Sequence, residues 1–247
     1  MALSVDLNAD MGEGIGNDAA LLDLVTSANI ACGFHAGSPD VMAATIAQAT
    51  ERGVGLGAHP GFDDRANFGR TRMTLSDQEL SNLVAYQVGA AKALAEAAGG
   101  KLHHLKLHGA MANMAAEDAH MAEVCYRAAL GVQPDLVIMV IAATQQQVAA
   151  AALGVPFAAE IFADRAYNDD ATLVDRSLPG AVLHDPADIS QRILTMLGEG
   201  AIVAESGTRI PCQIDTICLH GDTAEAVEIA ARLRQNLSQA GVVIKRF

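Results

Sequence analysis

A chain of 247 residues that is 51% apolar, only 4% aromatic and free of tryptophan must build its core from Ala, Val, Leu, Ile and Met, and it is long enough to bury a large one. Its formal charge of −13 argues against a nucleic-acid surface, which needs densely clustered Lys and Arg. No stretch approaches 18 uncharged apolar residues, no basic leader precedes the opening strand, and Cys32, Cys125, Cys212 and Cys218 form no CxxC pair. The expectation is therefore a cytoplasmic protein with reduced thiols and neither membrane nor nucleic-acid partners.

Residues 3–7 alternate as a strand into an acidic, glycine-rich turn, Asn8-Ala9-Asp10-Met11-Gly12-Glu13-Gly14, which is placed at the strand's end. Residues 18–25 predict a short helix and 29–31 a second strand, followed by Cys32-Gly33-Phe34-His35-Ala36-Gly37. Ser38 as N-cap and Pro39 in the first turn open a helix to residue 52, and a third strand spans 54–58. Residues 60–73 form a long polar loop with a basic cluster, and loops of this length are often functional. Ser76 and Glu79 make a capping box for an alanine-rich helix ending near Gly99 and Gly100. Strands at 102–107 and 136–141 alternate with helices at 117–130 and 144–153. A sixth strand, 157–161, empties into a second long loop reaching Asp185, which caps a helix from Pro186 to residue 197. A seventh strand at 214–219, a helix at 223–239 and a short strand at 242–244 complete the chain.

This alternation, without linker or low-complexity segment, predicts a single domain over residues 1–247 with a parallel sheet and right-handed crossovers. Neither GxGxxG nor a Walker A motif occurs, which removes the main support for a nucleotide-binding open sheet. Nearly every strand ends in ionisable residues, and a β/α barrel gathers such ends onto one face. Asp6, Asn8, Asp10, Glu13, His35, His59, Lys106, His108, Glu160, Asp164, Arg165, His220 and Asp222 are expected there. His35, His59, His108 and His220 share one position, just past an apolar strand and before a glycine-containing turn; His103, His104, His120 and His184 do not and read as structural.

Two chemistries fit. Asp10, His59 and His108 suit a divalent metal such as Zn, Mn or Ni. Alternatively the carboxylates hold a water while a histidine or Lys106 moves the proton, without metal. Arg70, Arg72 and Arg165 are placed to grip a substrate carboxylate. Cys32 reads as a small core residue whose place near His35 also allows a nucleophile.

Together the segments 6–13, 27–37, 57–62, 68–70, 162–167 and 218–222 resemble the LamB/YcsF family, and the similarity runs from about residue 5 to the last helix. One departure stands out: the family typically reads Lys-Pro-His-Gly-Ala-Leu-Tyr-Asn where this chain has Lys106-Leu107-His108-Gly109-Ala110-Met111-Ala112-Asn113. The resemblance implies a distorted seven-stranded β/α barrel like that of glycoside hydrolases and carbohydrate deacetylases. It also implies the A component of an ATP-dependent 5-oxoprolinase, which opens the lactam of 5-oxoproline to glutamate together with B and C components. On that reading ATP is a co-substrate handled with the partners, and self-association is also open. The catalytic candidates are Asp10, Glu13, His35, His59, Lys106, His108 and Glu160, and the substrate-binding candidates are Asn8, Arg70, Arg165, His220 and Asp222. The alternatives from the residues are a metal-dependent deacetylase of an N-acetylated carbohydrate and a non-catalytic binder of a small acid.

Overall fold

The computed structural model describes residues 3–220 and 226–247. Its strands are β1 (Ser4–Met11), β2 (Ser27–Ala31), β3 (Gly55–His59), β4 (Leu102–Leu105), β5 (Val137–Ile141), β6 (Phe157–Phe162), β7 (Ala201–Val203), β8 (Arg209–Pro211), β9 (Thr216–Leu219) and β10 (Val243–Ile244). The helices are α1 (Asp18–Leu22), α2 (Pro39–Glu51), α3 (Asp77–Ala97), α4 (Gly109–Glu117), α5 (Ala119–Val132), α6 (Gln145–Leu153), α7 (Pro186–Glu199) and α8 (Ala226–Gln239). Strands β1 to β6 pair in sequence order, and β9 lies between β6 and β1, so seven parallel strands close into the expected barrel. Two irregularities distort it. β10 pairs with the first residues of β1, and the register of β3 against β4 shifts between Leu56 and Gly57.

Strand β1 explains the organisation. Its residues alternate, with Val5, Leu7, Ala9 and Met11 in the hydrophobic core and Asp6, Asn8 and Asp10 in the polar series. Successive side chains on a strand point to opposite faces, so one face of β1 packs beneath the helices while the other gives the barrel a polar lumen. The usual barrel interior is a stack of branched aliphatic residues. Here Asp6, Asn8, Asp10, Asn29, His104, Lys106, Glu160 and Thr216 are all buried and joined by hydrogen bonds or ion pairs.

Several expectations are corrected. Strand β1 continues through the segment read as a turn, because Asn8 to Met11 pair with Ser27 to Ile30. Asp6 lies near the opposite end of the lumen from the mouth, accepting hydrogen bonds from Ser27 and Thr216, the first residues of β2 and β9. The region after β4 contains two helices rather than one. Asp118 is extended (φ −132°, ψ 107°) and caps the second by accepting from His120 N, which breaks the run between α4 and α5. The hairpin β7–β8 was unanticipated, and it holds the second long loop where Glu205 N donates to Tyr167 O at 2.9 Å.

Close packing in the lumen depends on Gly57, because a Cβ there would stand 2.1 Å from His104 Nε2. Gly57→Ala should therefore lower stability by about 1–3 kcal/mol, the usual cost of overpacking. Gly89→Ala, inside α3 with nothing within 4 Å of the added methyl, should leave stability unchanged or raised. Thermal melts of both variants check this, and equal melting points would contradict it.

Candidate active site

The floor of the site is a buried ion cluster. Lys106, the residue after β4, directs Nζ to Asp10 Oδ1 and Glu160 Oε1, each at 2.9 Å, and to Cys218 Sγ at 3.0 Å. Asn29 donates to Asn8 Oδ1 at 2.7 Å and to Asp10 Oδ1 at 2.8 Å, and its own Oδ1 accepts from His104 Nε2 at 2.7 Å. Asn8 in turn donates to Glu160 and Thr216. Burial alone would raise the pKa of Asp10, but His59 and Lys106 outweigh it and hold the carboxyl well below its ordinary range. Burial likewise opposes the Lys106 charge, and Asp10, Cys218 and Glu160 together more than restore it. Glu160 is shifted upward by burial, with Lys106 offsetting part and Asp10 adding to the rise.

One wall is made of imidazoles. His59, the last residue of β3, presents Nδ1 to Lys106 O at 2.8 Å; His108, the N-cap of α4, presents Nε2 to Phe68 O at 2.8 Å. A carbonyl only accepts, so both of those ring nitrogens carry the proton. His35, from the loop after β2, stacks on His108 with ring centroids 3.7 Å apart and planes within 7°. Glu13 Oε1 stands 3.4 Å from His35 Nε2 and 3.5 Å from His108 Nδ1. Burial and the neighbouring imidazoles depress both rings, His108 to about 3 and His35 further. Gly69, at φ +66°, lets the basic loop close over these rings, since a Cβ would lie 2.7 Å from His35 Cβ. Arg65 fastens the same loop to Gly33 O and Gly37 O.

The facing wall is an ion pair. His220 Nδ1 donates to both oxygens of Asp164 at 2.8 and 2.9 Å, and its ring lies against Phe162. Burial opposes the imidazolium, but Asp164 outweighs it and raises the His220 pKa well above its ordinary value; the same pairing lowers that of Asp164 against burial. Between the walls is a cavity of about 420 Å³ lined by Asp10, Glu13, His59, Lys106, His108 and His220, together with Arg70, Arg72, Arg165 and Arg176. The lining also includes Glu117 and Asp175, so its charge is mixed, and a small anion is suited to the side where Arg70, Arg165 and Arg176 stand.

The four histidines singled out by position thus cluster with Asp10, Glu13, Lys106 and Glu160 around one site, and Asp222 lies outside the described residues. Arg165 lines the cavity but commits Nε and Nη2 to the carbonyls of Ala181 and Val174. Arg72 forms a bidentate pair with Glu117 at the surface. The substitutions Leu107 and Ala112 both line the cavity, so the wall where the family usually has a tyrosine offers only a methyl group. Cys32 is inert by environment, donating to Ile30 O with its pKa pushed up to about 12 by burial. Three residues outside the candidate sets also support the site. His104 holds Asn29; Arg192 gathers the carbonyls of Phe162, Ala163 and Arg165; Tyr167 Oη receives Phe162 N. The alternation along β4 was the signal available for His104.

Residues 5–247 match the LamB/YcsF family, and the chain belongs to it. It is 56% identical to the 5-oxoprolinase A component of Ruegeria pomeroyi, covering 98% of both chains. The crystal structure of a lactam utilization protein from Thermus thermophilus superposes with a TM-score of 0.91 at 39% identity, covering 99% of this chain and all of that one. A structure described as T48 deacetylase shares the fold alone, with a TM-score of 0.53 at 15% identity over 99% of this chain and 88% of that one.

The Asp164–His220 pair yields a pH expectation. Its stabilisation is fully present between the ordinary values of 3.8 for Asp164 and 6.5 for His220; it fades as pH falls through the depressed Asp164 pKa and as pH rises through the elevated His220 pKa. In Asp164→Asn the largest effect opposing burial is removed and only the weaker one of Cys218 remains, so the His220 pKa should fall well below that of the unsubstituted chain. Histidine ring titration by NMR measures this; a value unchanged in the variant would assign the shift to other groups.

Proposed function

We propose that this LamB/YcsF chain is the A component of a cytoplasmic 5-oxoprolinase, opening 5-oxoproline to glutamate at the expense of ATP together with the B and C components. The observation that carries the reading is end-to-end similarity, at 56% identity, to a protein named as the A component of 5-oxoprolinase. A γ-lactam is a stabilised amide, so its carbonyl needs activation before water adds. Transfer of the ATP γ-phosphoryl group to the amide oxygen supplies that electrophile and leaves ADP. Water then adds to the carbon, the C–N bond breaks as the ring nitrogen takes a proton, and hydrolysis of the acyl phosphate releases glutamate and phosphate.

The cavity has a group for each requirement. Arg70 and Arg176, with the remaining donor edge of Arg165, meet the substrate carboxylate and the phosphoryl oxygens. The imidazolium of His220, oriented by Asp164, delivers the proton to the ring nitrogen. Glu13, with the imidazoles of His59 and His108 beside it and His35 behind them, orients the attacking water. Lys106 fixes Asp10 and Glu160 at the floor, and the arginines of the lining face the developing oxyanion. ATP is shared with the partner components, consistent with a chain that carries no P-loop. Carbohydrate deacetylation retains only the fold-level likeness.

Reconstitution with coexpressed B and C components should give glutamate release that requires both 5-oxoproline and ATP, whereas the purified chain alone should show little or none. Full activity from the isolated chain would contradict the multi-component reading. In the reconstituted enzyme Asp10→Asn should retain the fold, because its amide oxygen still accepts from Asn29 and Glu160 still pairs with Lys106. Turnover should fall about 10²–10⁴-fold, the span for a positioned acid or base. Near-normal turnover would reduce Asp10 to a structural residue.

A further inference from the structure

The tautomers of the imidazole wall leave two ring nitrogens facing each other. With Nδ1 of His59 committed to Lys106 O and Nε2 of His108 committed to Phe68 O, the nitrogens left over are His59 Nε2 and His108 Nδ1. These two stand 3.0 Å apart. In neutral rings both are acceptors, and two lone pairs at that distance repel unless a cation sits between them. The carbonyl anchors are also the outer contacts that fix histidine orientation in metal centres.

We infer that Glu13, His59 and His108 form a site for a first-row divalent transition-metal cation, with His35 as its positioning residue. Glu13 Oε1 lies 3.5 Å from His108 Nδ1, and the ligand atoms of Glu13, His35, His59 and His108 all fall within 4.8 Å of one another. At the common metal–nitrogen distance of about 2.0–2.1 Å, nitrogens 3.0 Å apart subtend roughly 90–100° at the ion, an angle open to five or six ligands. Two nitrogens and a carboxylate select borderline cations such as Zn²⁺ or Co²⁺ over Mg²⁺ or Ca²⁺. Three protein ligands leave positions facing the cavity, which Glu13, His59 and His108 all line.

This ligand set differs from the one read off the sequence. Asp10 Oδ2 is 3.4 Å from His59 Nε2, but Oδ1 of the same carboxylate is already bound to Lys106 and Asn29. His35 is buried to 1% exposure with neither ring nitrogen hydrogen-bonded, yet its plane is parallel to that of His108. An ion in the plane of His108 would sit off the face of His35. The His35 ring therefore backs His108, and its Nε2, 3.4 Å away, steers Glu13.

The test is metal uptake by the full chain without substrate, so that it is independent of the lactam reading. Stripped protein is titrated with Zn²⁺, Mn²⁺ and Co²⁺ by calorimetry, with elemental analysis after dialysis. One equivalent is expected. The Co²⁺ form should show two exchangeable, paramagnetically shifted N–H resonances, those of His59 Nδ1 and His108 Nε2. Glu13→Gln and His108→Ala should each weaken binding on the order of 100-fold or more, whereas His35→Phe, which keeps the stack, should retain the stoichiometry with at most about a tenfold loss. Circular dichroism confirms that each variant is folded. Failure of the folded chain to take up any of the three ions at millimolar concentration would overturn the site, leaving a shared proton between His59 and His108. Uptake indifferent to Glu13→Gln and His108→Ala would overturn it equally.

Discussion

The buried ammonium of Lys106 is the interaction on which the rest of the lumen depends. A cation taken out of water carries a desolvation cost of several kcal/mol, and only well-placed partners offset it. Here two carboxylates, from β1 and β6, meet it at 2.9 Å each. Those carboxylates need orientation in their turn, and Asn8, Asn29, His104 and Thr216 supply it from four strands. Closing the barrel is what brings these residues into one layer, so fold and site are a single arrangement.

The charge pattern along the barrel axis follows. Two carboxylates against one ammonium leave the floor net negative, with Glu13 above it, while arginines line the same cavity. An anion is favoured beside the arginines, and a proton or cation is favoured beside the carboxylates. His220, kept ionised by Asp164, and the neutral rings of His35 and His108 in the opposite wall therefore have distinct acid–base characters around one cavity of about 420 Å³. Environment separates them, since all are histidines following barrel strands.

Much of this was legible in the sequence, for reasons that mark the limits. The β–α alternation and the ionisable residues at strand ends require only local pattern, and a barrel is the topology that joins those ends. His35, His59, His108 and His220 could be selected by position alone. Depth could not. Asp6 and Asp10 belong to the same alternating strand, and only the pairing of β1 with β2 and β9 puts one at the bottom and the other at the mouth. Asp118 reads equally well inside a helix or as the cap of the next, and packing decided for the cap. The β7–β8 hairpin, three residues to a strand, is too short to leave a periodic signal. His104 looked structural and is structural, yet its contact with Asn29 connects it to Asp10, a relation between strands that no local pattern contains. The facing nitrogens of His59 and His108 likewise arise from carbonyls on two different segments.

The dependence on Lys106 is tested most directly by a charge-matched mutant cycle in the reconstituted complex. Lys106→Met removes the cation and leaves Asp10 and Glu160 uncompensated, which should cost about 3–5 kcal/mol, the usual penalty for breaking a buried pair. Adding Glu160→Gln to Lys106→Met removes one of the stranded charges and should recover a substantial part of that loss, while glutamate release stays abolished. A double variant no more stable than Lys106→Met, or one that turns over 5-oxoproline, would contradict the account.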